Sequence, residues 1–288
     1  MKSGISAAAA ERVLASPQLV VVLLKEFGNV LYSEGAALYI YRHLAVYAQK
    51  NVFGIRPFMN VVWDNVHRWE ILEPTVHRVP LPTSVFRALV TLSVLWGWRK
   101  FAGSLCLAFY GITRPGEVLR ATRKHLVLPE DLLLDGENPI YLRIEEAKSR
   151  RRGRQRVQHA SVIDRDAVKF ITEVFGRLNY DELLYPISGS SFRRRWEKLC
   201  LQLGIERKHR LTPASVRGGG ALAEYRAGTD LQRILWRMKI RHIITLEHYV
   251  QEVAGESFIA ELSSESRRKI SLLSGLFKST LLAFERLR

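Results

Sequence analysis

The stretch EPTVHRVPLPTS carries Pro74, Pro80 and Pro82, and no continuous helix can run through three prolines so placed. The constraint is severe because the residues on both sides are patterned for helix. Upstream, from about residue 17 to residue 72, Phe27, Leu31, Leu38, Tyr41, Leu44 and Ala48 recur at steps of three or four. Gly28 and Gly35 punctuate them, and Ser33-Glu34-Gly35 reads as a helix break. A further helix over Phe58–Ile71 puts Val62, Val66 and Trp69 on one side. A chain of 288 residues suits two domains. The expected division is a helical N-terminal domain over residues 1–75, a linker over 76–84, a larger domain over 85–265 and a C-terminal helix over 266–288.

Beyond the prolines, residues 83–98 and 99–110 read as two apolar helices. The pattern then changes. In ENPIYLRIEEAKSRRRGRQRVQHASVID, Ile140–Ile144 and Arg156–Val162 are short runs of alternating character around a basic turn, which predicts a β-hairpin. From Asp166 the helical pattern returns. The fold class is therefore mainly α, with one small antiparallel sheet inside the second domain, an α+β arrangement rather than a doubly wound one.

Charge narrows the partner. There are 44 Lys and Arg against 28 Asp and Glu, a formal +16, which favours a polyanion and nucleic acid above others. A membrane partner is not expected: the apolar runs Ala88–Trp98 and Phe101–Thr113 are split by Arg99 and Lys100 and fall short of the ~18 residues a span needs. MKSGISAAAAERVLASPQLVVVLL carries Glu11 and Arg12 ahead of its apolar part and is read as the lead into a helix, not a signal peptide. Cys106 and Cys200 have no metal-ligand spacing, so neither a zinc site nor a disulfide framework is expected, and the compartment is read as intracellular: nucleus in a eukaryote, otherwise cytoplasm or nucleoid.

Four places could carry chemistry. Arg114 stands between Thr113 and Pro115 at the edge of an apolar run, with Glu117 three residues on, and Pro115 suits a first helical turn. A charge at such an edge is unfavourable unless it is paired or holds an anion. Lys148 opens a nine-residue window, Lys148–Arg156, of which six are basic: Lys148, Arg150, Arg151, Arg152, Arg154 and Arg156. LTPASVRGGGALAEY starts a helix carrying Arg217, followed by three glycines that permit close backbone approach. MKIRHIITLEHYV ends in Tyr249. Taken singly, each has an ordinary explanation: a helical ion pair, a solvated turn, a tightly packed spot, a core tyrosine.

Their order changes the weighing. An Arg-x-x-Glu follows two apolar helices, a lysine stands 34 positions later at a hairpin, and a Thr-Pro-x-x-x-Arg helix precedes a tyrosine by 32 positions. Over nearly the whole chain this resembles the tyrosine recombinases, or phage-type integrases. The N-terminal part looks most like recombinase-related proteins of eukaryotic mobile elements. The resemblance implies a SAM-like core-binding domain followed by a catalytic domain, and site-specific DNA recombination or integration through a 3′-phosphotyrosyl intermediate. Arg114 and Arg217 match the family arginines, Glu117 the accompanying acid, Lys148 the hairpin lysine and Tyr249 the nucleophile. Double-stranded DNA is the implied partner, with copies joined on it through the C-terminal helix, and no metal or other cofactor is needed. Arg150, Arg151, Arg152, Arg154 and Arg156 would contact DNA.

Two positions depart from the family pattern. Ala214 stands where the family has His before the second arginine, and Ile240 where it has His or Trp nine before the tyrosine. Neither donates a hydrogen bond to a phosphate, and losing one such donor typically costs about 10²–10³ in rate. His242 is the nearest candidate to compensate. Three other readings use the same residues: a binding-only derivative of the fold, a type IB topoisomerase-like relaxing enzyme, and a basic helical RNA-binding or scaffold protein. The last would leave Arg114, Lys148, Arg217 and Tyr249 scattered.

Overall fold

The computed structural model describes residues 11, 13, 15–73, 79–132, 138–145, 157–240, 243, 246 and 252–283. The chain forms two compact units, Met1–Val76 and His77–Arg288.

The described residues of the first unit include the helices α1 (Pro17–Ser33), α2 (Leu38–Asn51) and α3 (Asn60–Leu72). Ser16 caps α1 by accepting from the Leu19 amide, and Pro17 occupies the first turn. Val62, Val66 and Trp69 of α3 are all buried, against Tyr41, Ala45 and Ala48 of α2 and Val20, Val21 and Leu24 of α1. The inward stripe of α1 differs from the expectation, because Phe27 faces out and Gly28 faces in. The Tyr41 ring lies against Gly28 where a Cβ would overlap it, and that contact sets the rotation of the helix.

The second unit starts earlier than residue 85. Leu81 is fully buried and its amide donates to the Ser215 carbonyl at 3.0 Å. Thr83 already opens α4 (Thr83–Leu95), followed by α5 (Arg99–Tyr110) and the short α6 (Pro115–Leu119). Strands β1 (Leu126–Val127), β2 (Ile140–Ile144) and β3 (Gln158–Val162) form an antiparallel sheet in the order β1-β2-β3. Ile140, Leu142 and Ile144 point into the core while Tyr141 and Arg143 point out, the period-2 pattern read from sequence. Among the described residues, helices α7 (Arg165–Phe175), α8 (Gly189–Gln202), α9 (Ser215–Arg226), α10 (Leu231–Met238), α11 (Glu252–Glu261), α12 (Ser264–Gly275) and α13 (Phe277–Ala283) also belong to this mainly α unit. Among the described residues no helix is long and apolar enough to cross a membrane.

The single C-terminal helix expected over 266–288 is two helices in the described residues, and its apolar residues pack within their own unit. Ile270, Phe277 and Leu281 are buried within their own unit and Leu273 partly so, while Phe284 lies outside the described residues. Both α12 and α13 pack on α4, where the Phe277 and Phe86 ring centroids are 5.9 Å apart.

The glycine run has a packing role. A Cβ at Gly219 would overlap the Leu81 carbonyl, and one at Gly220 the carbonyl of Phe109 on α5, so α9 lies on its neighbours at backbone distance. Gly220→Ala should therefore lower stability by about 1–3 kcal/mol, as overpacking of a core does. Gly189→Ala, with nothing within 4 Å of the new methyl, should be neutral or slightly stabilising. Chemical denaturation of the two variants checks the contrast, and equal effects would refute it.

Candidate functional site

Helix α5 ends in a Schellman turn: the Ile112 amide donates to the Phe109 carbonyl and the Thr113 amide to that of Ala108, at 3.1 and 3.0 Å. The left-handed residue of that turn is Ile112, with φ 49°, where glycine is the usual occupant. For a β-branched side chain this is a strained conformation, costing about 1–2 kcal/mol. It is held because the Ile112 side chain is buried among Ala221, Ile234, Leu235, Met238 and Leu246. The turn delivers Arg114 to the N-cap position of α6, with Pro115 as the first helical residue.

Glu117 aims the arginine. One carboxylate oxygen accepts from the Arg114 backbone amide at 2.9 Å and the other from its Nη1 at 2.8 Å. The Glu117 side chain is 5% exposed and that of Arg114 33%, so the carboxylate sits behind and the guanidinium opens outward.

Arg217 comes from the first turn of α9 and is 3% exposed. Its Nη2 donates to the Met238 carbonyl at the end of α10. The loop before α9 is fixed by the buried Trp196, whose indole donates to the Leu211 carbonyl at 3.4 Å, and it contains Arg210 at φ 53°.

Helix α10 is capped by Asp230, which accepts from the amides of Gln232 and Arg233. It ends in a second Schellman turn, with Lys239 donating to Trp236 and Ile240 to Leu235, both at 3.0 Å. Here the left-handed residue is Lys239, at φ 56°. Arg237 ties the end of α10 to the rest: its Nη2 donates to the carbonyls of Tyr110 at 2.7 Å and Ser161 at 2.9 Å, and it pairs with Glu224 of α9. The ends of α5, α9, α10 and strand β3 thus meet in one place.

Lys239 is partly buried there. Its pKa is pulled down to about 8, first by burial and then by the positive charges of Arg217, Arg114 and Arg237, while Glu117 acts in the opposite sense. Among these named groups four cations stand with two carboxylates, Glu117 and Glu224. The arrangement is suited to an anion with several oxygens.

Of the residues singled out by sequence, Arg114 and Glu117 are bonded to each other, and both lie with Arg217 close enough to act on the Lys239 charge. Ala214 precedes α9 as its N-cap residue, and Ile240 packs against the apolar cluster of Ile112, Met238 and Leu246. Lys148, Arg150, Arg151, Arg152, Arg154, Arg156, His242 and Tyr249 lie outside the described residues. Sequence reasoning passed over Arg237 and Lys239. The available signal was two cations flanking Met238 at the end of a helix whose other side is apolar.

No protein-family model and no curated protein sequence matches the chain. Its structure is similar to that of the Tn1549 transposon integrase, residues 82–397, solved in complex with circular intermediate DNA. The two are 12% identical and superpose with a TM-score of 0.54 over 90% of this chain and 94% of that one. The crystal structure of XerA recombinase is also similar, at 14% identity and a TM-score of 0.45, over 87% of this chain and 91% of that one. The chain has the tyrosine recombinase/integrase fold.

Because Lys239 holds its proton less tightly in the folded chain, the unfolded chain binds more protons between about pH 8 and the ordinary lysine value of 10.5. Its charge therefore destabilises the fold below that window, and the penalty is relieved as pH rises through it. Lys239→Met should be more stable than the native chain at pH 7, by on the order of 3 kcal/mol at most, with the gap closing by about pH 10.5. Denaturant titrations at several pH values measure the gap, and a constant one would contradict this.

Proposed function

We propose that the chain cuts and rejoins duplex DNA as a strand-transfer enzyme of the tyrosine recombinase type. The observation that carries the reading is that Arg114 and Arg217, each held in advance by a protein acceptor, both lie close enough to act on the Lys239 charge. In the reaction, the Tyr249 oxygen attacks the scissile phosphorus and its phenolic proton passes to water. The bond to the 5′-oxygen breaks, leaving a 3′-phosphotyrosyl link and a 5′-hydroxyl. Lys148 supplies the proton to the departing oxygen as general acid. A 5′-hydroxyl from another strand then reverses the step, so the phosphodiester bond energy is kept in the covalent intermediate.

Negative charge builds on the non-bridging oxygens in the transition state. Two guanidinium groups meet such oxygens with paired N–H donors. Glu117 fixes one guanidinium and the Met238 carbonyl the other, so little reorganisation accompanies the reaction. Basic residues 148–156 on the hairpin would hold the flanking duplex through its phosphates. Exchange between two duplexes requires more than one copy of the chain on DNA. A second reading, a DNA-binding derivative with little turnover, is favoured by one observation: Ile240 is packed into an apolar cluster, with no donor to offer.

Incubating the chain with a randomised pool of nicked duplexes separates the two readings. Cleavage beside the nick frees a short fragment, so the covalent product cannot revert. The native chain should give a denaturant-resistant DNA adduct that Tyr249→Phe does not, and Arg114→Ala should form it about 10²–10³ times more slowly. If the native chain gives no adduct yet binds duplex with a log–log salt slope of roughly −0.9 per phosphate contact, the binding-only reading replaces the first.

A further inference from the structure

We propose that Lys239 is a further phosphate-contacting residue, its ammonium meeting the same phosphodiester that Arg114 and Arg217 hold; this rests on the strand-transfer reading above. The first observation is conformational. Lys239 occupies the left-handed position of a Schellman turn, which glycine fills without strain. A lysine there carries a backbone penalty, so its side chain needs a reason to be present.

The second observation is where that side chain goes. The ammonium is not extended into solvent: it folds back to donate to the Arg237 carbonyl at 3.2 Å, in a partly buried position. There it is exposed to the charges of Glu117, Arg217, Arg114 and Arg237. Glu117 already accepts from Arg114, and Arg217 is bonded to the carbonyl of Met238, the residue before Lys239. In the resting protein the Lys239 charge is opposed first by burial and also by the arginines, against the attraction of Glu117. It becomes favourable when a phosphodiester brings in negative oxygens, because each added cation then faces an opposite charge at short range in a partly dehydrated site.

The third observation concerns the neighbouring position. Ile240 is packed against the apolar cluster of Ile112, Met238 and Leu246 and has no donor to offer. Lys239, one residue earlier, carries a compact ammonium there. The role is electrostatic: the lysine stabilises a non-bridging oxygen and forms no bond.

The alternative is a structural lysine kept as an ion-pair partner of Glu117, and two measurements on the full-length chain decide. The first is the midpoint of thermal unfolding as inorganic phosphate replaces chloride at constant ionic strength. The second is the rate of Tyr249-dependent adduct formation on nicked duplexes. Lys239→Met should unfold in chloride no earlier than the native chain, lose most of the phosphate-induced rise, and form adduct about 10²-fold more slowly. Lys239→Arg should recover part of both. If Lys239→Met is less stable in chloride, or keeps the native phosphate response and adduct rate, Lys239 is structural and the proposal is overturned, while the strand-transfer reading stands. A native chain without a phosphate response overturns it too. If the native chain gives no adduct yet its phosphate response disappears in Lys239→Met, the anion contact stands and the strand-transfer reading falls.

Discussion

Two helices approach to backbone distance only where neither presents a side chain at the contact, and that condition governs the second unit. Gly219 and Gly220 leave α9 open on the side where the carbonyls of Leu81 and Phe109 lie. Phe109 is five residues before Arg114, and Gly220 three after Arg217. The contact between backbones therefore acts as a ruler for the two arginines, which belong to separate helices more than a hundred positions apart. Close packing of this kind deforms little, so the spacing of the two guanidinium groups is set before any ligand arrives.

Around this ruler the chain accepts local strain. The described residues include three non-glycine positions with positive φ: Ile112, Arg210 and Lys239. Ile112 turns the chain from α5 toward Arg114, Arg210 lies in the loop into α9, and Lys239 closes α10. Such conformations cluster at binding and catalytic sites, where the surrounding structure over-determines them. The surrounding structure here is the buried cluster under Ile112, the two carbonyls gripped by Arg237, and the Trp196 bond to the loop. Charge repulsion adds to the cost, since Arg114, Arg217 and Arg237 all work against the protonation of Lys239.

How much of this was legible depends on what each signal is made of. Strands β2 and β3 follow the expected hairpin closely, because alternation in Ile140–Ile144 has only one buried face to choose. Arg114 and Glu117 were readable as a pair, since proline at a first helical turn places the residue before it at the cap. The rotation of α1 was not readable: Leu24 and Phe27 are equally apolar, and only the fit of Tyr41 against Gly28 selects between them. Likewise the glycine run announced a close approach without naming its partners, which come from the linker side and from α5. Arg237 and Lys239 were missed for a different reason. Composition records a cation at a helix end, but whether that end is buried depends on the residues folded over it, here Tyr110 and Ser161.

The cis packing of α12 and α13 sets a rule for self-association through that segment. Ile270, Phe277 and Leu281 already cover α4 of their own copy, so reaching a second copy means leaving the first. Leaving exposes those apolar faces, and only an equivalent apolar surface on the second copy would restore their burial. What remains is the entropy of bringing two chains together, which opposes pairing in dilute solution and shrinks when a common template holds the copies side by side. An exchange of tails, were copies to make one, would therefore depend on their local concentration.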